Sequence, residues 1–230
     1  MTFLRAFARL RAPPAARPFS TSPRCRTGST AAYQPLTTCP QCGKPLPTPV
    51  PVCTHCAYIA RLADSTPYHA LFQLPQHNPF VVDTAQLKRR YLEAQRLCHP
   101  DAWAVHGEAT KAVAHSLSDL MSRAWGALKD PLPRAEYILA QHGIEIAEAD
   151  QLGDLELIAE IMEVREQLED AAPAEVEAIA DANRDEIKKT CAEIEARIGA
   201  EDWLAAKTAT IRLKYLEGIK KAAGEWRPDA

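Results

Sequence analysis

A chain of 230 residues with 47% apolar and 25% charged side chains has room for one large or two small cores. No apolar run reaches the roughly 18 residues that a membrane helix needs, so the sequence offers no membrane span. Its 27 bases and 30 acids nearly balance, at a net charge of −3, but they are unevenly distributed along the chain.

The first acid is Asp64, whereas Arg5, Arg9, Arg11, Arg17, Arg24 and Arg26 all fall within the first thirty residues. Phe3, Leu4, Phe7 and Leu10 can share an apolar face opposite Arg5 and Arg9. An arginine-rich, acid-free amphipathic start has the pattern of a mitochondrial presequence and lacks the long apolar core of a secretory one. Residues 1–30 are therefore expected to direct the chain to the mitochondrial matrix, with cleavage between about Phe19 and Arg26 near the segment RPFSTS. Without those six arginines, 21 bases would face 30 acids, a net charge of −9. So acidic a mature chain argues against general nucleic-acid binding.

Of seven cysteines, Cys25, Cys98 and Cys191 are scattered, while Cys39, Cys42, Cys53 and Cys56 form two CxxC pairs in CPQCGKPLPTPVPVCTHC. Two such knuckles supply four thiolates, the closed tetrahedral set of a structural Zn²⁺ site. Iron with the same ligands and a dithiol redox pair are the alternatives. Four prolines stiffen the connection between the knuckles, Gly43 suits a tight turn, and His55 reads as a bystander. A module of this size, taken as residues 36–60, cannot build its own core, so metal should supply its folding energy. The same reasoning makes it an insulated unit, separate from the helical cores that follow.

From Asp64 onward the expected structure is all-α. TPYHALFQL offers Thr66 as N-cap and Pro67 at the first helical position. A second helix starts at Asp83 or Thr84, with Gln86 placed for a capping box on Asp83. It puts Leu87, Tyr91, Ala94 and Cys98 on one face and Lys88, Arg89, Arg90 and Arg96 off it. A third helix runs from about Glu108 to Lys129, with Val113, Leu117, Leu120, Ala124 and Leu128 in helical period. Between these two lies His99-Pro100-Asp101. Pro100 pushes His99 out of the α region and stops the helix, so the tripeptide stands in a loop at the tip of an antiparallel hairpin. A His–Asp pair also admits a hydrolase-like reading in which Asp101 orients the imidazole.

Beyond Gly143, a plausible helix stop, and Gly153, read as a linker residue, three helices are expected over about 154–171, 173–199 and 201–222. No catalytic constellation is legible there. Glu156, Glu160, Glu163 and Glu166 recur at helical spacing, as on a solvated face.

The order YHALFQL, basic helix, HPD, long third helix resembles a J-domain. WGALKDPLPRAEYILAQHG at 125–143, with the tetracysteine module and the carboxyl-terminal helices, resembles its HscB (Jac-type) branch. The resemblance implies a J-domain over 64–143 and a three-helix bundle over 154–224. It implies a co-chaperone, not itself an enzyme, that stimulates the ATPase of a mitochondrial DnaK-type chaperone. His99, Pro100 and Asp101 would contact that chaperone, with Lys88, Arg89, Arg90 and Arg96 supplying complementary charge. Leu92, Glu93 and Arg123 depart from patterns common in the wider family and its HscB branch. The bundle would receive an iron–sulfur scaffold protein of the IscU/Isu type on Ile158, Met162 and Tyr215, with Glu163 and Glu166 at the rim. The alternative function is a thiol oxidoreductase using the CxxC pairs.

Overall fold

Helical periodicity prevails over most of the chain. In the computed structural model, which describes residues 33–147, 150 and 155–227, seven α-helices carry the fold and one two-residue β-pair serves the cysteine module. The expected presequence over 1–30, with Cys25, and the linker residue Gly153 lie outside the described residues.

Strands β1 (Val52–Cys53) and β2 (Tyr58–Ile59) pair antiparallel around the second knuckle. A bridge between Thr38 and Pro45 does the same for the first. Each CxxC is followed by a residue in left-handed conformation, Gly43 at φ +71° and Ala57 at φ +55°. At Gly43 this costs little, as its place in the sequence suggests, whereas Ala57 carries a penalty of roughly 1–2 kcal/mol.

Helix α1 (Tyr68–Leu71) begins one residue later than the capping pattern predicts. Pro67 occupies the N-cap, and the Thr66 hydroxyl donates to the Ala63 carbonyl at 2.6 Å. The backbone N–H of Tyr68 finds a tertiary partner instead, the Tyr137 hydroxyl at 2.9 Å, and the two rings stack 4.4 Å apart. Helix α2 (Thr84–Cys98) is capped by Asp83, which accepts from the backbone of Ala85 and Gln86. Helix α3 (Glu108–Lys129) runs antiparallel to it: Tyr91 stacks on Trp125, and Gln95 bonds Ser118 and Ser122. Leu87, Ala94 and Cys98 meet Leu117, Leu120, Met121, Ala124 and Leu128 in one core with Leu71 and Phe72.

Val50 and Val52 belong to that same core, each almost fully buried. The cysteine module is therefore not insulated from the helical domain. Its connecting segment covers α1, because a chain with too little apolar residue to close its own core buries what it has against the neighbour.

Helix α4 (Pro131–Gln141) turns back from α3 and ends at Gly143, whose φ of +74° fits the expected stop. Arg134, only 6% exposed, donates to the carbonyls of Leu128, Lys129 and Phe80. Two of those carbonyls close α3, where the negative end of the helix dipole stabilises a cation without a carboxylate. Beyond it come α5 (Leu155–Glu169), α6 (Pro173–Gly199) and α7 (Trp203–Glu225). Helices α6 and α7 form an antiparallel hairpin through a short turn, and Asp202 caps α7 by accepting from Ala205 N–H.

A second core joins α4 to this hairpin, with Ala135, Ile138 and Leu139 against Ile194, Ile198, Ala206, Ala209 and Leu213. Asn78 donates to the Glu195 carbonyl at 3.0 Å, His142 stacks on Trp203 at 3.7 Å, and Lys207 pairs with Asp150 at 2.8 Å. A third core lies within the bundle. Described residues from Tyr33 onward thus make one compact unit.

Candidate functional sites

At the tip of the α2–α3 hairpin, His99 is both the end of α2 and the start of a 3₁₀ turn over Pro100–His106, where the sequence suggests a loop. Its φ of −62° and ψ of +127° are the extended geometry that the following proline imposes. The turn is ordered by Trp103, which is buried and donates through Nε1 to the Leu97 carbonyl at 2.8 Å. His99 Nδ1 accepts from the Asp101 N–H at 3.3 Å, which places the proton of a neutral ring on Nε2. The Asp101 carboxylate lies 3.6 Å from Nδ1, and the side chains are 56% and 91% exposed. A buried relay keeps water off such a pair; here both groups are offered to solvent.

Lys88, Arg89 and Arg96 stand exposed on α2. Arg90 does not share their freedom. It reaches back to the carbonyls of Phe72 and Gln73 at the end of α1 and is half-buried. Leu92, which departs from the common pattern of bases, is exposed on the same helix. Arg123 pairs with Asp64 at 2.8 Å and so joins α3 to the segment leaving the cysteine module.

In that module, the four sulfurs lie within 4.8 Å of one another. Cys39 Sγ is 3.5 Å from Cys56 Sγ, and Cys42 Sγ is 3.6 Å from Cys53 Sγ. Thiolates bound at about 2.3 Å around a tetrahedral Zn²⁺ would stand about 3.8 Å apart, so the set fits such an ion with little adjustment. The close pairs run across the two knuckles rather than within either CxxC. Backbone N–H groups of Cys56 and His55 lower the Cys53 thiol to about 7, while burial pushes Cys56 up to about 12. His55 is exposed, with Nδ1 3.0 Å from the Lys44 ammonium, outside the sulfur cluster.

On α5, Leu157, Ile161, Val164 and Leu168 face the bundle core, with Ile161 and Leu168 buried. Met162 points away, 66% exposed, and Ile158 is half-buried outside that core. Tyr215 on α7 is half-buried and packs against the bundle core. Glu163 and Glu166 are exposed. Arg134, Gln95 and Trp103, which hold the hairpin in shape, carry no sequence signal that separates them from ordinary surface or core positions.

An exposed His-Pro-Asp at the end of a two-helix hairpin, on an all-α chain with a tetracysteine knuckle, defines a co-chaperone of the J-domain class. The profile of the HSCB C-terminal oligomerisation domain matches residues 153–224. The iron–sulfur cluster co-chaperone protein HscB of Homo sapiens is 33% identical over 172 residues, 72% of either chain. The crystal structure of human HscB superposes with a TM-score of 0.70 at 29% identity, covering 81% of this chain and 96% of that one. HscB from Vibrio cholerae gives 0.63 at 30% identity, covering 68% of this chain and 94% of its own. This chain belongs to the HscB family of iron–sulfur cluster co-chaperones.

Proposed function

We propose that this chain binds an iron–sulfur scaffold protein with its carboxyl-terminal bundle and delivers it to a DnaK-type chaperone in the mitochondrial matrix. The J-domain then stimulates the chaperone's ATPase, and cluster transfer follows the chaperone's conformational change. The observation that carries this reading is the openness of His99 and Asp101 on a hairpin whose apolar side chains are packed into a core shared with α1 and the cysteine module. Asp101 offers a carboxylate to a guanidinium on the chaperone, Pro100 fixes the turn, and Lys88, Arg89 and Arg96 raise the encounter rate with an acidic partner surface. Arg90 supports the same surface from behind by tying α2 to α1.

Ile158 and Met162, one turn apart on α5, form the apolar part of the scaffold-binding face, with Tyr215 alongside and Glu163 and Glu166 at its rim. Cys39, Cys42, Cys53 and Cys56 hold one structural Zn²⁺, whose binding energy folds the module. The cross-knuckle spacing of the sulfurs favours this closed site over a dithiol working within one CxxC. The arginine-rich start supports delivery to the matrix. Steady-state ATPase of a mitochondrial DnaK-type chaperone, measured with this chain and with or without the scaffold protein, tests the reading. Stimulation that rises further with scaffold present is expected; no stimulation in either case would overturn it.

A further inference from the structure

Each knuckle of the tetracysteine module has one open cysteine and one closed. Cys42 is exposed and Cys56 half-buried, whereas Cys39 and Cys53 are 2% and 1% exposed. The short distances cross between the knuckles: Cys42 Sγ lies 3.6 Å from Cys53 Sγ, and Cys56 Sγ 3.5 Å from Cys39 Sγ. Every open cysteine therefore has a buried one against it on the other knuckle. The backbone holds them in place. Cys39 donates to the Lys44 carbonyl and accepts from the Gly43 N–H, and Cys53 sits in β1 opposite Tyr58 of β2.

Four thiolates gathered in this way are a ligand set and also a store of four electrons. Peroxide oxidises an accessible thiolate to a sulfenic acid, which condenses with a thiol in contact and so escapes further oxidation. A disulfide inside one CxxC would leave the two knuckles free of each other. Links across the knuckles span eleven and seventeen residues, so they restrict the unfolded module and hold the knuckles together, as a metal ion does. Val50 and Val52 lie between the two cysteine pairs, and both belong to the core of the α2–α3 hairpin.

We propose that the tetracysteine module is a site of reversible oxidation by hydrogen peroxide, which closes the disulfides Cys42–Cys53 and Cys39–Cys56 in exchange for the metal ion. Cys42 Sγ attacks one peroxide oxygen, the O–O bond breaks, and the other oxygen leaves as water after taking up a proton. Cys53 Sγ then attacks Cys42 Sγ; the S–S bond forms, the S–O bond breaks, and a second water leaves with a second proton. Two electrons pass from the sulfur pair to the peroxide, and Cys56 with Cys39 reduces another peroxide in the same way. Four thiolates, two peroxides and four protons thus give two disulfides and four waters. Disulfide sulfurs are no longer thiolates, so the set ceases to hold Zn²⁺. The crossing links keep Val50 and Val52 packed, and the hairpin retains its cover after the ion is gone. Dithiol reductants restore the four thiols and are themselves oxidised to disulfides. The exchange rests on the structural Zn²⁺ reading; the pairing of the sulfurs does not.

The test uses the full wild-type chain in three states: loaded with Zn²⁺, stripped by a chelator under reducing conditions, and loaded then treated with hydrogen peroxide. Metal release is read with a chromophoric chelator, disulfides by mass spectrometry with electron-transfer fragmentation, and the hairpin by hydrogen exchange. Peroxide is expected to release the ion and to yield Cys42–Cys53 and Cys39–Cys56. Protection in α1 and α2 should stay near that of the loaded chain, while the stripped chain loses about tenfold. Dithiothreitol with added Zn²⁺ should return the starting state. Disulfides within Cys39–Cys42 or Cys53–Cys56, sulfinic acids in place of disulfides, or an oxidised chain no better protected than the stripped one would each overturn the proposal. Zinc content before peroxide is added tests the metal reading by itself: a chain that takes up none defeats that reading, and its disulfide map still decides the pairing.

Discussion

The HPD hairpin and the carboxyl-terminal bundle are both built from long packed helices, yet they present their candidate contact groups in different ways. The hairpin spends its apolar side chains on a core shared with α1 and the cysteine module, and offers polar groups at a turn, where Pro100 sets the backbone and Trp103 anchors it. The bundle offers apolar side chains from a helix face, so contact and core residues are of the same kind and alternate along α5. A polar tripeptide at a helix stop is separable from its scaffold by residue type. An apolar patch on a helix is separable only by exposure.

This contrast can be broken most directly at Asp101. Asp101→Asn keeps the shape of an exposed side chain, so stability should stay within about 0.5 kcal/mol of wild type. Stimulation of the chaperone's ATPase should be lost altogether, as read in a single-turnover assay beside a thermal melt. Retained stimulation by the folded variant would remove the hairpin tip from the mechanism.

The cysteine module tests whether the hairpin is as self-contained as its helices suggest. Cys39→Ser combined with Cys42→Ser should abolish binding of one Zn²⁺ per chain. Because Val50 and Val52 lie in the hairpin's core, and burial of such side chains stabilises by about 1.5–3 kcal/mol each, the hairpin should melt earlier as well. Hydrogen exchange should show protection falling in α1 and α2 while α6 and α7 keep theirs. Loss confined to residues 36–60 would mean that the valines stay packed without the metal.

Adjacent residues on α5 sharpen the other half of the comparison. Ile161→Ala removes a buried side chain and should cost about 2–5 kcal/mol of stability. Met162→Ala should cost less than about 0.5 kcal/mol of stability yet weaken scaffold binding, and together with Ile158→Ala and Tyr215→Ala the loss should exceed tenfold, at ~2 kcal/mol per strong contact. Calorimetric titration against the scaffold protein, paired with denaturant unfolding, separates the two effects.

A smaller, pH-dependent difference belongs to α1, which shares the hairpin's core. His69 is buried, with Nε2 2.7 Å from the Pro79 carbonyl, and burial holds its pKa below the ordinary histidine value. The unfolded chain therefore binds the proton more readily. Its contribution is complete above the unfolded pKa, near 6.5, and is lost as pH falls from there through the depressed folded value. Unfolding midpoints taken across that window should decline for the wild type and flatten for His69→Gln. The smallest effect is a gain: Ala57→Gly relieves the left-handed strain after the second knuckle and should stabilise the metal-loaded chain by about 1 kcal/mol, seen as a higher melting temperature.

Much of this was legible without coordinates because it depends on local chemistry. Four cysteines in two CxxC pairs specify a thiolate cluster whatever surrounds them, and the sulfurs do converge. Pro100 ends α2, Asp83 caps it and Gly143 stops α4 through bonds and dihedral limits within a few residues. The all-α class follows from periodicity over long segments. Tertiary contacts decided the rest, because burial is a property of neighbours distant in sequence. They set Val50 and Val52 into the hairpin core, turned Arg90 back onto α1 and buried Arg134 at the end of α3. They also placed Met162 outside while Ile161 went in, and buried Asn183 within the bundle, where it donates to the Leu216 carbonyl. Nothing in an apolar residue's identity or helical phase says which of two adjacent faces will be covered; that depends on where the neighbouring helices cross.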